Sequence, residues 1–480
     1  MIVKSIDASS SQAIRKTTDS SIPCVILHKR THIRALILFI VLLFCQLWWD
    51  VAGFTVRTED MLALILLGNL LLPALLTGKL RYYRHPLNIP LLLWAGVLLL
   101  GVAVTLLSPF DGVTKKDALI NGVRLVLAVG IFFVVQHHPA PANVKLKTVL
   151  WAVLGFSLLT TATAVLQMGY WDGWLPFQLP SVLTTFKEGA NNAKGRELFA
   201  LYLGDTGSHI WSGALAMQAL LVWLMGSYAK RPGRKWAAWL CFGLLTFILI
   251  RISVRNSILG LFVAMIGLGI LRGQTRYLLK RILRLVAVVS VTVVLLYTLL
   301  YVAPDNYFID RIRQAVPRFE NSELVIDRRS NVFGRFDYWG IALKLFASAP
   351  LTGRGFYSYQ ALAPDFYDYP NIHLVHAHNS YFQTLAELGI IGGIAMGWLM
   401  LSILRYLMRA RRVLKQHKLS RLWWEFVIGS FIFMAFSMVF SNTLWSPNYV
   451  AFRMIILGTL TSLVRENVAP SETWTKHTTI

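Results

Sequence analysis

The stretch NIHLVHAHNSYFQTLAELGIIGG, from Asn371 to Gly393, places three histidines within six residues and then runs on as an apolar segment. Ser380-Tyr-Phe-Gln383 fits a capping box, with Ser380 as the N-cap and Gln383 at the third helical position. His378 and Asn379 then stand just before a helix. A helix N-terminus presents unpaired N–H groups and partial positive charge, which disfavour a protonated imidazole beside it. A neutral His378 in that position is a candidate proton acceptor. Gly389, Gly393 and Gly397 recur every four residues, a face that in lipid lets another helix approach closely. Such a face would hold the start of the helix firmly, and packing alone explains it equally well. Glu387 lies about two turns below the cap, where a carboxylate is either a structural counter-ion or a site residue.

The rest of the chain decides what kind of helix this is. Of 480 residues 56% are apolar, and the mean hydropathy is +0.56. Apolar runs of roughly 20 residues recur from end to end, which defines an all-α polytopic membrane protein. The predicted spans are 35–49, 60–77, 87–107, 118–136, 146–168, 208–228, 235–250, 256–271, 282–302, 381–404, 422–444 and 447–464. About 34 mostly polar, basic residues precede the first run, which ends in QLWWD rather than in small residues, so it reads as an uncleaved helix and not a signal peptide. The three cysteines, Cys24, Cys45 and Cys241, indicate no disulfide framework.

The net charge of +24 would point to nucleic acid in a soluble protein. Here the positive-inside rule accounts for it, and no nucleic-acid partner is expected. With the N-terminus in the cytoplasm, the inside segments hold 29 of the 47 basic residues, and every inside loop is basic. Both termini (1–34 and 465–480) are then cytoplasmic, nine spans fill 35–302 and three fill 381–464. Two outer segments are long: 169–207, and 303–380, where eight basic residues balance eight acidic ones. Long loops of this kind are commonly functional. The chain shows no internal repeat of the sort expected of a two-halved transporter or flippase, and few of its ionisable residues (Arg124, Glu387 and Arg453) fall within spans.

Three further groups face the same side. Arg251-Ile-Ser-Val-Arg255-Asn lies at the outer ends of two spans, where arginine either snorkels or binds a ligand. Phe336, Trp339, Leu343 and Phe346 recur at helical spacing and predict an amphipathic helix near 333–347, with Arg335 at its start. Pro350, Gly353 and Gly355 mark a turn that carries Arg354. If the loop folds back on the membrane, a neutral histidine, several arginine forks and a helix N-terminus converge, which suits phosphate oxygens. The implied chemistry is transfer from a phosphate-bearing lipid to a hydroxyl, with histidine as base. A metal site built from His373, His376, His378, Asp365 and Asp368 is the competing arrangement, although its spacing fits no zinc signature.

These segments together resemble the O-antigen ligase and polymerase superfamily of bacterial envelope glycosyltransferases. The family's His-[Asn/Ser/Gln]-x9-Gly-x-x-Gly pattern is met by His378, Asn379, Gly389 and Gly392, with Gly393 where Thr, Ser or Val is usual. Gly334–Trp339 and Pro350–Phe356 are similar to its lead-in. Ser253-Val-Arg255-Asn-Ser is similar to its Ser-Arg-Gly segment, with Asn256 replacing the glycine. The resemblance covers roughly 250–400. It implies a GT-C-like fold of about twelve transmembrane helices in the bacterial inner membrane, with short helices in a large periplasmic loop. It further implies a glycan donor on undecaprenyl pyrophosphate and inverting transfer without metal or other cofactor. His378 would be the base, and Arg255 and Arg335 would hold the pyrophosphate, with Arg251 and Arg354 as extensions of that role. Asn379, Glu387 and His376 would support them. The long outer loop favours a ligase using a lipid A-core acceptor. A polymerase and a protein O-oligosaccharyltransferase share the same donor and chemistry.

Overall fold

A computed structural model describes residues 38, 48–51, 54–77, 81–82, 85–137, 141–171, 208–251, 255–273, 318–320, 323–325, 334–366, 376–415, 417–467 and 478–479. The described architecture is helical. In chain order the helices are α1 (Thr58–Thr77), α2 (Asn88–Leu107), α3 (Gly112–His137), α4 (Ala142–Trp171), α5 (Ser208–Tyr228), α6 (Pro232–Arg251), α7 (Arg255–Leu271), α8 (Gly334–Ser348), α9 (Ser358–Leu362), α10 (Ser380–Leu414), α11 (Lys418–Phe440) and α12 (Pro447–Asn467). Short antiparallel strand pairs join Trp48–Val51 to Phe54–Arg57, Arg81–Tyr82 to Thr478–Thr479, and Arg318–Glu320 to Glu323–Val325.

Ten of the twelve predicted spans coincide with helices. The span at 282–302 lies outside the described residues, as does most of 35–49. Trp48 and Trp49, assigned to the end of that first span, are instead in a strand. Aromatic and β-branched residues suit a pleated surface, which explains why this short apolar run misleads.

The composition of α2 shows why these helices form and where they belong. Pro90 falls in its first turn, where the missing N–H would have no partner anyway. Leu91, Leu98 and Val102 are buried, whereas Ile89, Leu92, Leu99 and Leu100 stay exposed. A helix that remains apolar on the face turned away from the core is made for lipid. Among the described residues, five helices are long and apolar enough to cross a membrane: α2, α3, α10, α11 and α12. Apolar stretches of α1, α5 and α7 are shorter. The bundle packs α3 on α12 and α2, α5 on α6, and α7 on α11. A second, smaller core of Ile341, Ala342, Leu345, Tyr359, Ala363, Ala377 and Ala386 fastens α8 and α9 to the first part of α10.

Candidate functional site

The site is organised around an interruption in α10. Gly389 has φ +62° and ψ −160°, so the helix breaks there and restarts. A break frees backbone groups that lipid cannot satisfy. The turn after α8 supplies their partners. Arg354 N–H donates to the Ala386 carbonyl (3.0 Å), and Gly355 N–H to that of Glu387 (2.9 Å). Ile390 N–H donates to the Pro350 carbonyl (2.8 Å), and Ile391 N–H to that of Leu351 (3.4 Å). The same segment is stitched to α2 on its other side. Phe356 N–H donates to the Gly101 carbonyl (2.9 Å), and the Thr105 hydroxyl donates to the Phe356 carbonyl (2.7 Å). Gly353, at φ +68°, lies so close to α10 that a Cβ would fall 2.3 Å from the Glu387 carbonyl carbon.

This changes the reading of the glycine face. Gly389 meets the backbone of a loop, not another helix, and Gly397 has nothing within 4 Å. Glu387, 1% exposed, is the side-chain hub of the break. Its carboxylate accepts from Tyr357 N–H (2.9 Å), Tyr359 N–H (3.4 Å) and the Gln383 amide (2.9 Å). It acts as a structural acceptor. Burial, then the charges of Asp117 and Glu387, push the Tyr357 phenol up to about 12.

The start of α10 is capped one residue earlier than the sequence indicates. Asn379 is the N-cap, with extended backbone, and its Oδ1 accepts from Tyr381 N–H (2.9 Å) and Phe382 N–H (3.0 Å). Asn and Ser cap about equally well, so composition alone does not separate neighbours. Ser380, freed from capping, donates to the Ser441 carbonyl at 2.8 Å and ties α10 to the end of α11. Gln383 accepts from Ala377 N–H (3.3 Å), which holds the residue before His378. Asn379→Ala is expected to cost about 1 kcal/mol of stability by losing the cap. Ser380→Ala should lose the tie to the Ser441 carbonyl but keep the cap, so amide hydrogen exchange at Tyr381 and Phe382, faster in Asn379→Ala only, distinguishes the two caps.

His378 sits directly before the cap, half-buried, at φ +51°. A left-handed backbone at a residue other than glycine costs free energy and persists only where its surroundings impose it. Its ring stacks on Tyr338 of α8 with centroids 5.6 Å apart, and His376 lies 5.1 Å away. Tyr338 is anchored in turn, because its carbonyl accepts from the Tyr359 hydroxyl (3.0 Å). Burial and the neighbouring Asp337 raise the Tyr338 phenol above its ordinary value, with Arg335 opposing them.

Arg335 enters from the first turn of α8 and donates to Asn256 Oδ1 at 3.5 Å. The Asn256 amide donates to the Phe440 carbonyl at 3.0 Å. The beginnings of α7, α8 and α10 therefore meet the end of α11 at one place. Arg255 begins α7 one residue before Asn256, and Arg251 ends α6, but both side chains lie outside the described ones. Arg354 is placed elsewhere. Its exposed guanidinium Nε donates to Ser348 Oγ (2.8 Å) at the far end of α8, roughly 20 Å along the helix from Arg335. The structure does not bring its guanidinium to the Asn256 junction that receives Arg335. His373 and Asp368 are outside the described residues. Among the described residues, no group of three or more His, Cys, Asp or Glu side chains is placed to hold a metal.

Sequence reasoning gave Tyr338 no role, although it lies within the Gly334–Trp339 segment. It also took Asn256 as a departure from a pattern, whereas that side chain links Arg335 to α11. The polarity of Asn256 at the start of an apolar run was the available signal.

The family model described as O-Antigen ligase matches residues 239–397, about a third of the chain. The matched segment runs from α6 through the break in α10 and contains Asn256, Arg335 and His378. It supports membership of the O-antigen ligase superfamily and agrees with the range over which the motifs were read. No curated protein matches the chain.

Proposed function

We propose that the chain is an O-antigen ligase-like glycosyltransferase, which moves a glycan from undecaprenyl pyrophosphate to a hydroxyl of the lipid A core. The observation that carries this reading is the junction where Arg335 reaches Asn256 at the start of α7, next to the helix start that presents His378. In this reading the protein has about twelve spans in a GT-C-like arrangement in the bacterial inner membrane. Both termini are cytoplasmic, and the junction faces the periplasm. Segment 303–380 is the large periplasmic loop.

The chemistry follows from the groups present. Neutral His378 takes the proton of the acceptor hydroxyl as its oxygen attacks the anomeric carbon. The bond from that carbon to the pyrophosphate oxygen breaks, the electron pair stays on phosphate, and the anomeric configuration inverts. Arg335 and Arg255 stabilise the developing charge with fixed donors. Tyr338, stacked on the imidazole, and Asn379 and Gln383, which fix the backbone around it, keep the base aimed.

Deleting the gene and separating the lipopolysaccharide on a gel tests the assignment. The expected result is loss of all O-antigen from the lipid A core while carrier-linked polymer accumulates. Core bearing a single repeat unit would assign polymerisation instead, and an unchanged ladder would reject both.

A further inference from the structure

Arg453 lies within α12 and is 6% exposed. Among the described residues its Nε and both Nη atoms are buried with no group at hydrogen-bonding geometry, and the Tyr449 side chain is the neighbour it faces. The guanidinium carbon sits 3.9 Å from the centroid of the Tyr449 ring, one turn earlier. The Tyr449 hydroxyl is buried without a partner as well, as is Asn448 Nδ2 beside it. A ring face offsets only part of the cost of burying an ion, and the five N–H donors remain unmet. An intramembrane guanidinium in this state marks a site for an anion.

The position connects it to the candidate active site. Side chains on a helix lean toward its N-terminus, so Arg453 reaches back over Tyr449 to the end where α12 begins at Pro447. Tyr449 is seated on α5, where a Cβ at Gly213 would fall 2.4 Å from its hydroxyl oxygen. The preceding residue, Ser212, hydrogen-bonds Ser257 at 2.8 Å. Ser257 follows Asn256, the residue that receives Arg335. Arg453 is thus linked to the junction through Tyr449, α5 and Ser257, and lies outside the segment that the family model matches.

We propose that Arg453 and Tyr449 form an inner anion subsite that binds a phosphate of a diphosphate ligand. The planar fork of arginine matches two phosphate oxygens, and the phenol adds a third donor. The inference rests on the donor reading above, in which the ligand is the lipid-linked diphosphate.

The test uses the full chain in nanodiscs with two probes, geranylgeranyl diphosphate and inorganic pyrophosphate, and reads tryptophan quenching and thermal unfolding. Arg453→Met should bind the lipid probe about ten- to a hundredfold more weakly, the size of a lost charge-assisted contact. Its unliganded unfolding midpoint should hold or rise, because replacing an unpaired buried ion by an apolar chain is neutral or stabilising. Tyr449→Phe should weaken binding less, and Arg453→Lys should recover part of the loss. Arg453-dependent binding of the lipid probe alone supports the subsite with the donor lipid as its source. Arg453-dependent binding of both probes supports it with soluble diphosphates as ligands. Unchanged affinity in Arg453→Met overturns the subsite, as does a fallen midpoint with affinity intact. If Arg335→Ala weakens binding and Arg453→Met does not, the subsite fails and the donor reading stands. If the unmodified protein binds neither probe, both fail.

Discussion

Replacing His378 by alanine should lower glycan transfer about 10²–10⁴-fold, the range that a positioned general base contributes. Insertion should be retained and the unfolding midpoint should fall only modestly, because histidine tolerates φ +51° somewhat better than alanine does. The ring stacks on Tyr338 at 5.6 Å and makes a tilted contact with His376, and losing these contacts should weaken the protein far less than it weakens transfer. His378→Asn separates shape from chemistry. Asparagine tolerates the left-handed backbone well yet cannot accept a proton at this pH, so it should be as inactive as alanine. The measurement is single-turnover transfer from a lipid-linked donor by purified protein. Activity within tenfold of the unmodified enzyme in either variant would remove His378 from the role of base.

The largest effect on stability is expected at Gly389. Its φ of +62° with ψ of −160° belongs to a region essentially reserved for glycine, and a Cβ would stand 2.4 Å from the Leu351 carbonyl oxygen. Alanine must both strain the backbone and push the turn away, at a cost of about 3 kcal/mol or more. Displacing the turn would also strand four backbone hydrogen bonds between 350–355 and 386–391. Gly397→Ala, with open space around it, is the matched control and should change stability by no more than about 0.5 kcal/mol. Chemical unfolding in detergent and the yield of folded protein compare the two. Equal stability would mean that α10 does not depend on its break.

Most of the fold was legible because burial and lipid leave the same mark. Long runs of Leu, Val and Ala name the spans whether they face the core, as Leu98 does, or the surroundings, as Leu99 does. The extent of the helix carrying Arg335 was equally readable, but its buried face was not: Phe336 and Leu343 of the stripe read as apolar are exposed, and Ile341, Ala342 and Leu345 are the residues buried. What periodicity does not carry is backbone conformation. Gly389, Gly393 and Gly397 satisfy a helical repeat perfectly well, so nothing in their spacing shows that the first of them ends one helix and begins another. Likewise Asn379 and Ser380 are both good caps, and only the Ser441 carbonyl beyond the helix decides between them. Arg354 misled for a related reason. A guanidinium between two turn glycines looks like a ligand-binding group, but the contribution of this residue to α10 is its main-chain N–H.

The docking of 350–356 also bears on how the chain is made. In the proposed orientation, with 303–380 on the outer side, these residues leave the ribosome before α10 and cross the bilayer ahead of it. When the two halves of α10 follow, the donors and acceptors that its discontinuity exposes already have a receptor waiting, pinned to α2 through Phe356. Membrane integration of this helix is therefore the closing of a prepared socket. In that orientation, a chain whose 350–356 segment stayed on the cytoplasmic side would leave the break in α10 without its partners.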